Sequence, residues 1–282
     1  MAGLPAIAII GAGRLGRTIG ERLVAIGGRV RFVVRRGGST LPAPAFRVDD
    51  PAAYRGIRWI LVATPDQQIW AAARQLSELG VVGRHQVVMH LAGALDRTAL
   101  KPLRLTGAAL GSIHPLQSVA VTVAAATRLT GSFAGLEGDG RAIQAGRRLA
   151  AALGMIPVVL PPGSKPAYHA AATFVSTFLV VLYHSAVGLA EQAGIAPKDA
   201  RAMFVPLVEG TLENLRLLPP RHAMTGATRR GDLATIKAHL AALSKADRAL
   251  YLLLGRRAVD LAGALALPPA RLADMAVLLG VR

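Results

Sequence analysis

Cysteine is absent from the 282-residue chain. That excludes a disulfide framework, a thiolate zinc site, an iron–sulfur cluster and a cysteine nucleophile. Aromatic residues are scarce, at 4%, so no platform for stacking single-stranded bases is visible. Acidic residues are also few: 16 Asp and Glu stand against 33 Lys and Arg, a formal charge of +17. Such an excess can mark a nucleic-acid or anionic-membrane surface. Here the cations are mostly Arg, spread along the chain in pairs such as Arg147–Arg148 and Arg256–Arg257. No nucleic-acid partner is therefore expected. No His, Asp and Glu spacing suits a metal, and no Ser/His/Asp triad can be assembled.

Targeting signals are missing as well. Met1-Ala-Gly-Leu-Pro5 has no basic n-region, so a cytoplasmic protein is expected. Residues 170–190 carry no Asp, Glu, Lys or Arg and are long enough to span a bilayer. Thr173, Ser176, Thr177, His184 and Ser185 interrupt that stretch, and no basic and aromatic flanks bound it. The expectation is a buried helix at the centre of a helical domain, with no membrane partner.

Hydrophobic residues make up 52% of the chain, ample for a sizeable core. Short apolar runs at 6–10, 29–36, 57–63, 86–91, 108–113 and 156–160 read as strands. Helical stretches separate several of them, for instance to about Ile26, to about Leu79 and over 141–153. Asp66 or Thr64 is expected to cap the second of these. Strand alternating with helix implies a mostly parallel sheet covered on both faces. Pro161-Pro162-Gly163 then breaks the pattern, and everything beyond reads as helix. The expected organisation is an α/β domain over 1–162 and an all-α domain over 163–282.

Gly11-Ala-Gly13-Arg14-Leu15-Gly16 is the first chemical signal. It follows a strand and opens a helix, the context a dinucleotide-binding (Rossmann) loop requires. Gly11 permits the tight turn, Gly13 lets the backbone approach a pyrophosphate, and Gly16 lets helix and strand pack closely. Arg14 is a further phosphate contact. An NAD site carries Asp or Glu at the end of the second strand; here that position is Arg35-Arg36, whose guanidinium forks suit a 2′-phosphate. The cofactor expected is NADP(H). Thr64 and Pro65 follow a strand and border the same region, as do His90 and His114.

Lys165 and His169 lie four apart at the start of the first helix after the break, so they share a face. A helix N-terminus disfavours an ammonium and lowers its pKa, which moves Lys165 toward general-acid range. Later polar candidates are Asn214 and Arg230, and Asp232 reads as a helix cap.

With these motifs in view, the chain resembles Rossmann-like oxidoreductases with an uncharacterised helical C-terminal domain. That domain is similar to the one in 6-phosphogluconate, β-hydroxyacid and ketopantoate reductive enzymes. The residues carrying the resemblance include Leu61-Val-Ala-Thr-Pro-Asp66, His90-Leu-Ala-Gly93, Gly111-Ser-Ile-His-Pro-Leu-Gln117, Tyr168-His-Ala-Ala-Ala172 and Gly210-Thr-Leu-Glu-Asn214. The resemblance implies an NADP-dependent enzyme, with Lys165 where β-hydroxyacid dehydrogenases carry a catalytic Lys. His169 replaces their substrate-orienting Asn. Three departures stand out: Ala92 where Ser is usual, Thr177 where Asn is usual, and Ala227 where Pro is usual.

The expectation is an NADPH-dependent reductase acting on a small anionic carbonyl compound, with ketopantoate foremost. Lys165 or His169 is the acid, and His114, Asn214 and Arg230 contact the substrate. A homodimer through the C-terminal domain is expected. A pyrroline-carboxylate type imine reductase and a non-catalytic NADP-binding sensor are the alternatives.

Overall fold

The computed structural model describes residues 3–35, 41–119, 127–263 and 267–280. Its first unit, through Ser176, is built on an eight-stranded sheet. The strands are β1 (Ile7–Ile10), β2 (Val30–Val34), β3 (Ala45–Arg47), β4 (Trp59–Val62), β5 (Val87–His90), β6 (Ala109–Leu116), β7 (Phe133–Gly138) and β8 (Ile156–Val159). Their order is β3-β2-β1-β4-β5-β6-β7-β8. All neighbours run parallel except β6 and β7. The direction of strand addition reverses between β1 and β4, which is where open α/β sheets bind ligands.

Helices α1 (Arg14–Ala25), α2 (Asp66–Glu78) and α3 (Gly140–Ala152) cover the sheet. Because β1 is buried on both faces, every one of its residues is apolar. Ile7 and Ile9 join Phe32, Leu61, Met89 and Leu149 on one side. Ala8 and Ile10 join Val33, Val62, Ile69 and Leu76 on the other.

Two strands add to those read from the sequence. β3 is only three residues long, and β7 (Phe-Ala-Gly-Leu-Glu-Gly) carries two glycines and a carboxylate that mask its apolar alternation. Neither Thr64 nor Asp66 caps α2, contrary to expectation. The cap position is Pro65, which has no side-chain donor or acceptor, and Asp66 sits in the first turn. There its charge still complements the helix N-terminus.

After the Pro161–Gly163 break, α4 (Lys165–Val175) still packs with the sheet. The chain divides into compact units between Ser176 and Thr177, beyond the expected position at 162/163. The helix expected over 170–190 is interrupted at the same point: α4 ends at Val175 with Ser176 as its cap, and α5 (Thr177–Gln192) begins.

The second unit is helical: α5, α6 (Pro197–Leu217), the short α7 (Pro220–Ala223) and α8 (Ala227–Arg230), α9 (Leu233–Ala242), α10 (Lys245–Gly263) and α11 (Pro269–Leu278). Asp232 caps α9 as expected, accepting from the Thr235 backbone N–H at 3.0 Å. A small core of Ile236, Leu240, Val259, Met275 and Leu279 joins α9 to α11.

The expectation of a buried central helix fails here. An 18-residue window within Lys165–Gln192 has a mean hydropathy of 1.6, enough by length and composition to cross a membrane, yet only 6% of that window is buried. In α5 the one buried residue is Ala190, and in α6 it is Ala200. The α9–α11 core is too small to enclose two such helices.

Candidate active site at the carboxyl ends of the parallel strands

The loop after β1 enters α1 through Gly11, whose φ of +102° favours glycine. A Cβ there would lie 2.8 Å from the Ala63 carbonyl oxygen, and one on Gly16 would lie 2.5 Å from the Gly11 oxygen. Both glycines are therefore required by the packing of loop, helix and β4. Gly13 is different: a Cβ there meets no protein atom within 4 Å. Gly13 also starts α1 without any side-chain cap, so its first N–H groups point outward, with Arg14 exposed and Leu15 half-buried beside them. An uncapped N-terminus behind a bare glycine suits an anion.

A cavity of about 330 Å³ adjoins this loop. It is lined by Gly11, Ala12 and Gly13 from the loop, by Val34 and Arg35 from the end of β2, and by Thr64, Pro65 and Gln68 from the end of β4 and start of α2. Arg35 is exposed and donates to Gln68 Oε1 at 2.7 Å, which holds its guanidinium at the cavity edge. Thr64 Oγ1 is buried with no hydrogen-bond partner. A buried polar atom left open on a cavity wall calls for a ligand atom to satisfy it. The loop, the open space over Gly13, Thr64 and Arg35 thus fit an adenine dinucleotide with a 2′-phosphate. Arg36 lies outside the described residues.

Polar side chains gather at the adjoining strand ends. His90, Ser112 and Glu137 stand in register across β5, β6 and β7, and all three are buried. The His90 ring is fixed at both nitrogens. Nδ1 accepts from the Ala92 N–H at 3.2 Å, so Nε2 carries the hydrogen and donates to the Asp96 carbonyl at 2.9 Å. Glu137 accepts from the Arg97 N–H at 2.8 Å.

Lys165 enters this cluster from the first turn of α4. Its side chain is fully buried, and Nζ donates to the Ala92 carbonyl at 2.8 Å. Burial lowers its pKa to about 8, opposed by the charges of Glu137, Asp66 and Asp96. The direction matches the sequence reading, but the leading cause is loss of water rather than the helix dipole. Because the bond runs to the backbone of residue 92, the Ala found there does not disturb it.

Burial also pushes His114 down to about 4, and the Lys165, His169 and His90 charges add to the effect. His90 falls to about 4 for the same leading reason. His114 Nδ1 lies 3.1 Å from the Tyr168 hydroxyl, and its ring meets those of Tyr168 and His169 edge-on at 5.6 Å each. His169 Nδ1 is buried without a partner.

Lys165, His169 and His114 are therefore brought together, as are Gly11, Gly13, Gly16, Arg35, Thr64 and Pro65. Asn214 and Arg230 belong to the helical unit, Asn214 half-buried in α6 and Arg230 exposed at the end of α8. Sequence reasoning did not single out Glu137 or Tyr168 as site residues. A lone carboxylate inside the apolar run 133–138 was the available signal for Glu137. Tyr168 is one residue from His169 on the same helix turn, and nothing local distinguishes it.

Residues 132–258 match the family described as Domain of unknown function (DUF2520). No curated protein matches the chain in sequence. Among solved structures, protein TM1727 from Thermotoga maritima is similar over 92% of this chain and 99% of its own, at 21% identity and a TM-score of 0.73. Protein BF3122 from Bacteroides fragilis, named a candidate NADP oxidoreductase, matches over 90% and 98%, at 21% identity and a TM-score of 0.72. Plasmodium falciparum pyrroline carboxylate reductase with NADP bound matches over 98% and 99%, at 8% identity and a TM-score of 0.62. The chain thus shares with these proteins, over nearly the full length of each, a Rossmann-type sheet domain followed by a helical domain.

Proposed function

We propose that the chain is an NADPH-dependent oxidoreductase that reduces the carbonyl of a small 2-oxo acid, with ketopantoate to pantoate as the first candidate. One observation carries this reading. The cavity over the Gly11–Gly16 loop and Arg35 lies one strand from His90 at the carboxyl end of β5, where the buried Lys165 and the half-buried His114 and His169 also gather. The names of the NADP-linked structures above support the cofactor.

NADPH, when bound, supplies a hydride to the carbonyl carbon. The chain's own residues do the rest. His169 offers an unpartnered ring nitrogen, the better placed of the two candidate acids to protonate the developing alkoxide. Lys165, enclosed and bonded to Ala92, holds positive charge close enough to depress both His90 and His114. That fixed charge stabilises the oxyanion as it forms.

NADPH oxidation measured with ketopantoate, other 2-oxo acids and cyclic imino acids tests the assignment. Turnover that prefers NADPH supports it, and a wild-type protein that binds no NADPH overturns it. A cyclic imine carrying a carboxylate is the second reading, favoured by the likeness to pyrroline carboxylate reductase. A sensor reading predicts tight NADPH binding with no turnover on any member of the panel.

Arg35 provides a sharper check. Arg35→Ala is expected to weaken NADPH about tenfold and leave NADH little changed, because a charge-assisted hydrogen bond to the 2′-phosphate is lost. Equal losses for both nucleotides, read by fluorescence titration, would remove Arg35 from the phosphate site.

The same reading includes a homodimer through α5 and α6. Val180 is 69% exposed and Leu207 65%, although both belong to apolar helices. An exposed apolar face of this kind marks an interface. The neighbouring α6 carries Lys198, Asp199, Arg201, Glu209, Glu213 and Arg216 along its length, which suits a second protein copy better than lipid. Val180→Asp is expected to convert a dimer to a monomer in light scattering. A wild-type chain that is monomeric at micromolar concentration would refute the dimer.

A further inference from the structure

We propose that Gln68 sets the choice between NADPH and NADH: its side-chain amide holds the Arg35 guanidinium at the edge of the dinucleotide cavity without cancelling its charge, so that Arg35 stands ready for a 2′-phosphate.

The placement comes from α2. Gln68, Ala71, Ala72 and Gln75 all line the cavity beside the Gly11–Gly13 loop. Their spacing of three and four residues puts them on one face of the helix. Gln68 is half-buried in the first turn, where its N–H donates to the Pro65 carbonyl at 2.8 Å. Arg35 follows β2, and β2 and β4 lie on either side of β1. The sheet order therefore brings together two residues 33 apart in sequence, and Arg35 Nη2 donates to Gln68 Oε1 at 2.7 Å.

Charge gives that bond its consequence. Among the described residues, Gln68 is the one hydrogen-bond partner of the Arg35 side chain, and no carboxylate pairs with it. An amide oxygen accepts a hydrogen bond but brings no net charge. The bond takes one of the five N–H donors of the guanidinium, and the others remain to grip a phosphate. Holding the side chain in place beforehand also reduces the ordering that binding would otherwise require. A carboxylate at position 68 would keep the position and lose the function, because it would neutralise Arg35 and repel the phosphate. Gln68 is a positioning residue, because it acts through Arg35.

This inference rests on the NADPH reading above, and fluorescence titration of the full-length protein with NADPH and with NADH tests the two separately. Gln68→Glu is expected to weaken NADPH more than tenfold and to change NADH less than twofold. The fold should survive, since a carboxylate in the first turn of a helix complements its dipole, and thermal melting checks this. Gln68→Met removes the acceptor without adding charge. It is expected to weaken NADPH about threefold in the wild-type background and not at all in Arg35→Ala. Unchanged NADPH affinity in Gln68→Glu overturns the proposal, and so does an equal loss of both nucleotides. A Gln68→Met effect that persists in Arg35→Ala would show that Gln68 does not act through Arg35. Failure of the NADPH reading itself would appear elsewhere, as a wild type that binds no NADPH or an Arg35→Ala variant that loses both nucleotides alike.

Discussion

The folded chain is expected to gain stability as pH rises from about 8 to 10.5, and Lys165→Met is expected to remove that gain. The sign follows from proton binding. Burial depresses the Lys165 pKa from 10.5 to about 8, so between those values the unfolded chain holds a proton that the folded chain has released. Stability rises with pH wherever the unfolded state binds more protons. The full excursion is at most about 3 kcal/mol.

An acid limb has the same origin. His90 and His114 fall from 6.5 to about 4, so the folded chain loses stability as pH drops across that window. The Lys165 charge contributes to both depressions, and Lys165→Met should therefore soften the acid limb as well. Urea denaturation of both proteins across the pH range reads each effect. An alkaline rise that persists in the variant would place it elsewhere in the molecule. Loss of the buried charge is also expected to lower kcat at least a hundredfold, the scale of a misplaced proton donor or oxyanion stabiliser.

Gly16→Ala is expected to destabilise the fold by roughly 1–3 kcal/mol, the usual scale of overpacking, and to abolish NADPH binding. Its Cβ would press on the Gly11 oxygen and, at 2.8 Å, on the Ala63 side chain. Neither neighbour is a flexible side-chain end, so the loop itself must shift. Gly13→Ala separates the two consequences. That position has φ −68°, which any residue adopts, and an added methyl meets no protein atom. It is expected to melt close to the wild type yet bind NADPH poorly, because the methyl occupies space the pyrophosphate needs. Thermal melting and NADPH titration of the two variants give the comparison. Wild-type affinity in Gly13→Ala would mean that the cofactor does not lie on this loop.

Much of this could be read along the chain. The strands β1, β2, β4 and β5 are short apolar runs, and the glycine spacing between β1 and α1 is a local demand of backbone geometry. Arg35 at the end of β2 could be placed from its distance to Gly16 alone. The proline–glycine break marked the change from strand to helix because it is a matter of dihedral angles. Periodicity and turn chemistry act within about a dozen residues, and all of these features but the Gly16–Arg35 spacing, which spans one strand–helix–strand unit, lie within that reach.

The polar cluster lies beyond it. Lys165 bonds to a carbonyl 73 residues away, and Tyr168 to a ring 54 residues away. Those pairings exist because the sheet order sets β5, β6 and β7 side by side, with β7 running against β6. Only that arrangement turns Glu137 into a buried neighbour of Ser112 and excludes water from Lys165. The exposure of α5 is likewise invisible in sequence, since an apolar helix reads the same whether a core or another chain covers it. Sequence determined which residues could bind a dinucleotide; the tertiary structure decided which side chains lose their water together, and so which of them carry shifted protons.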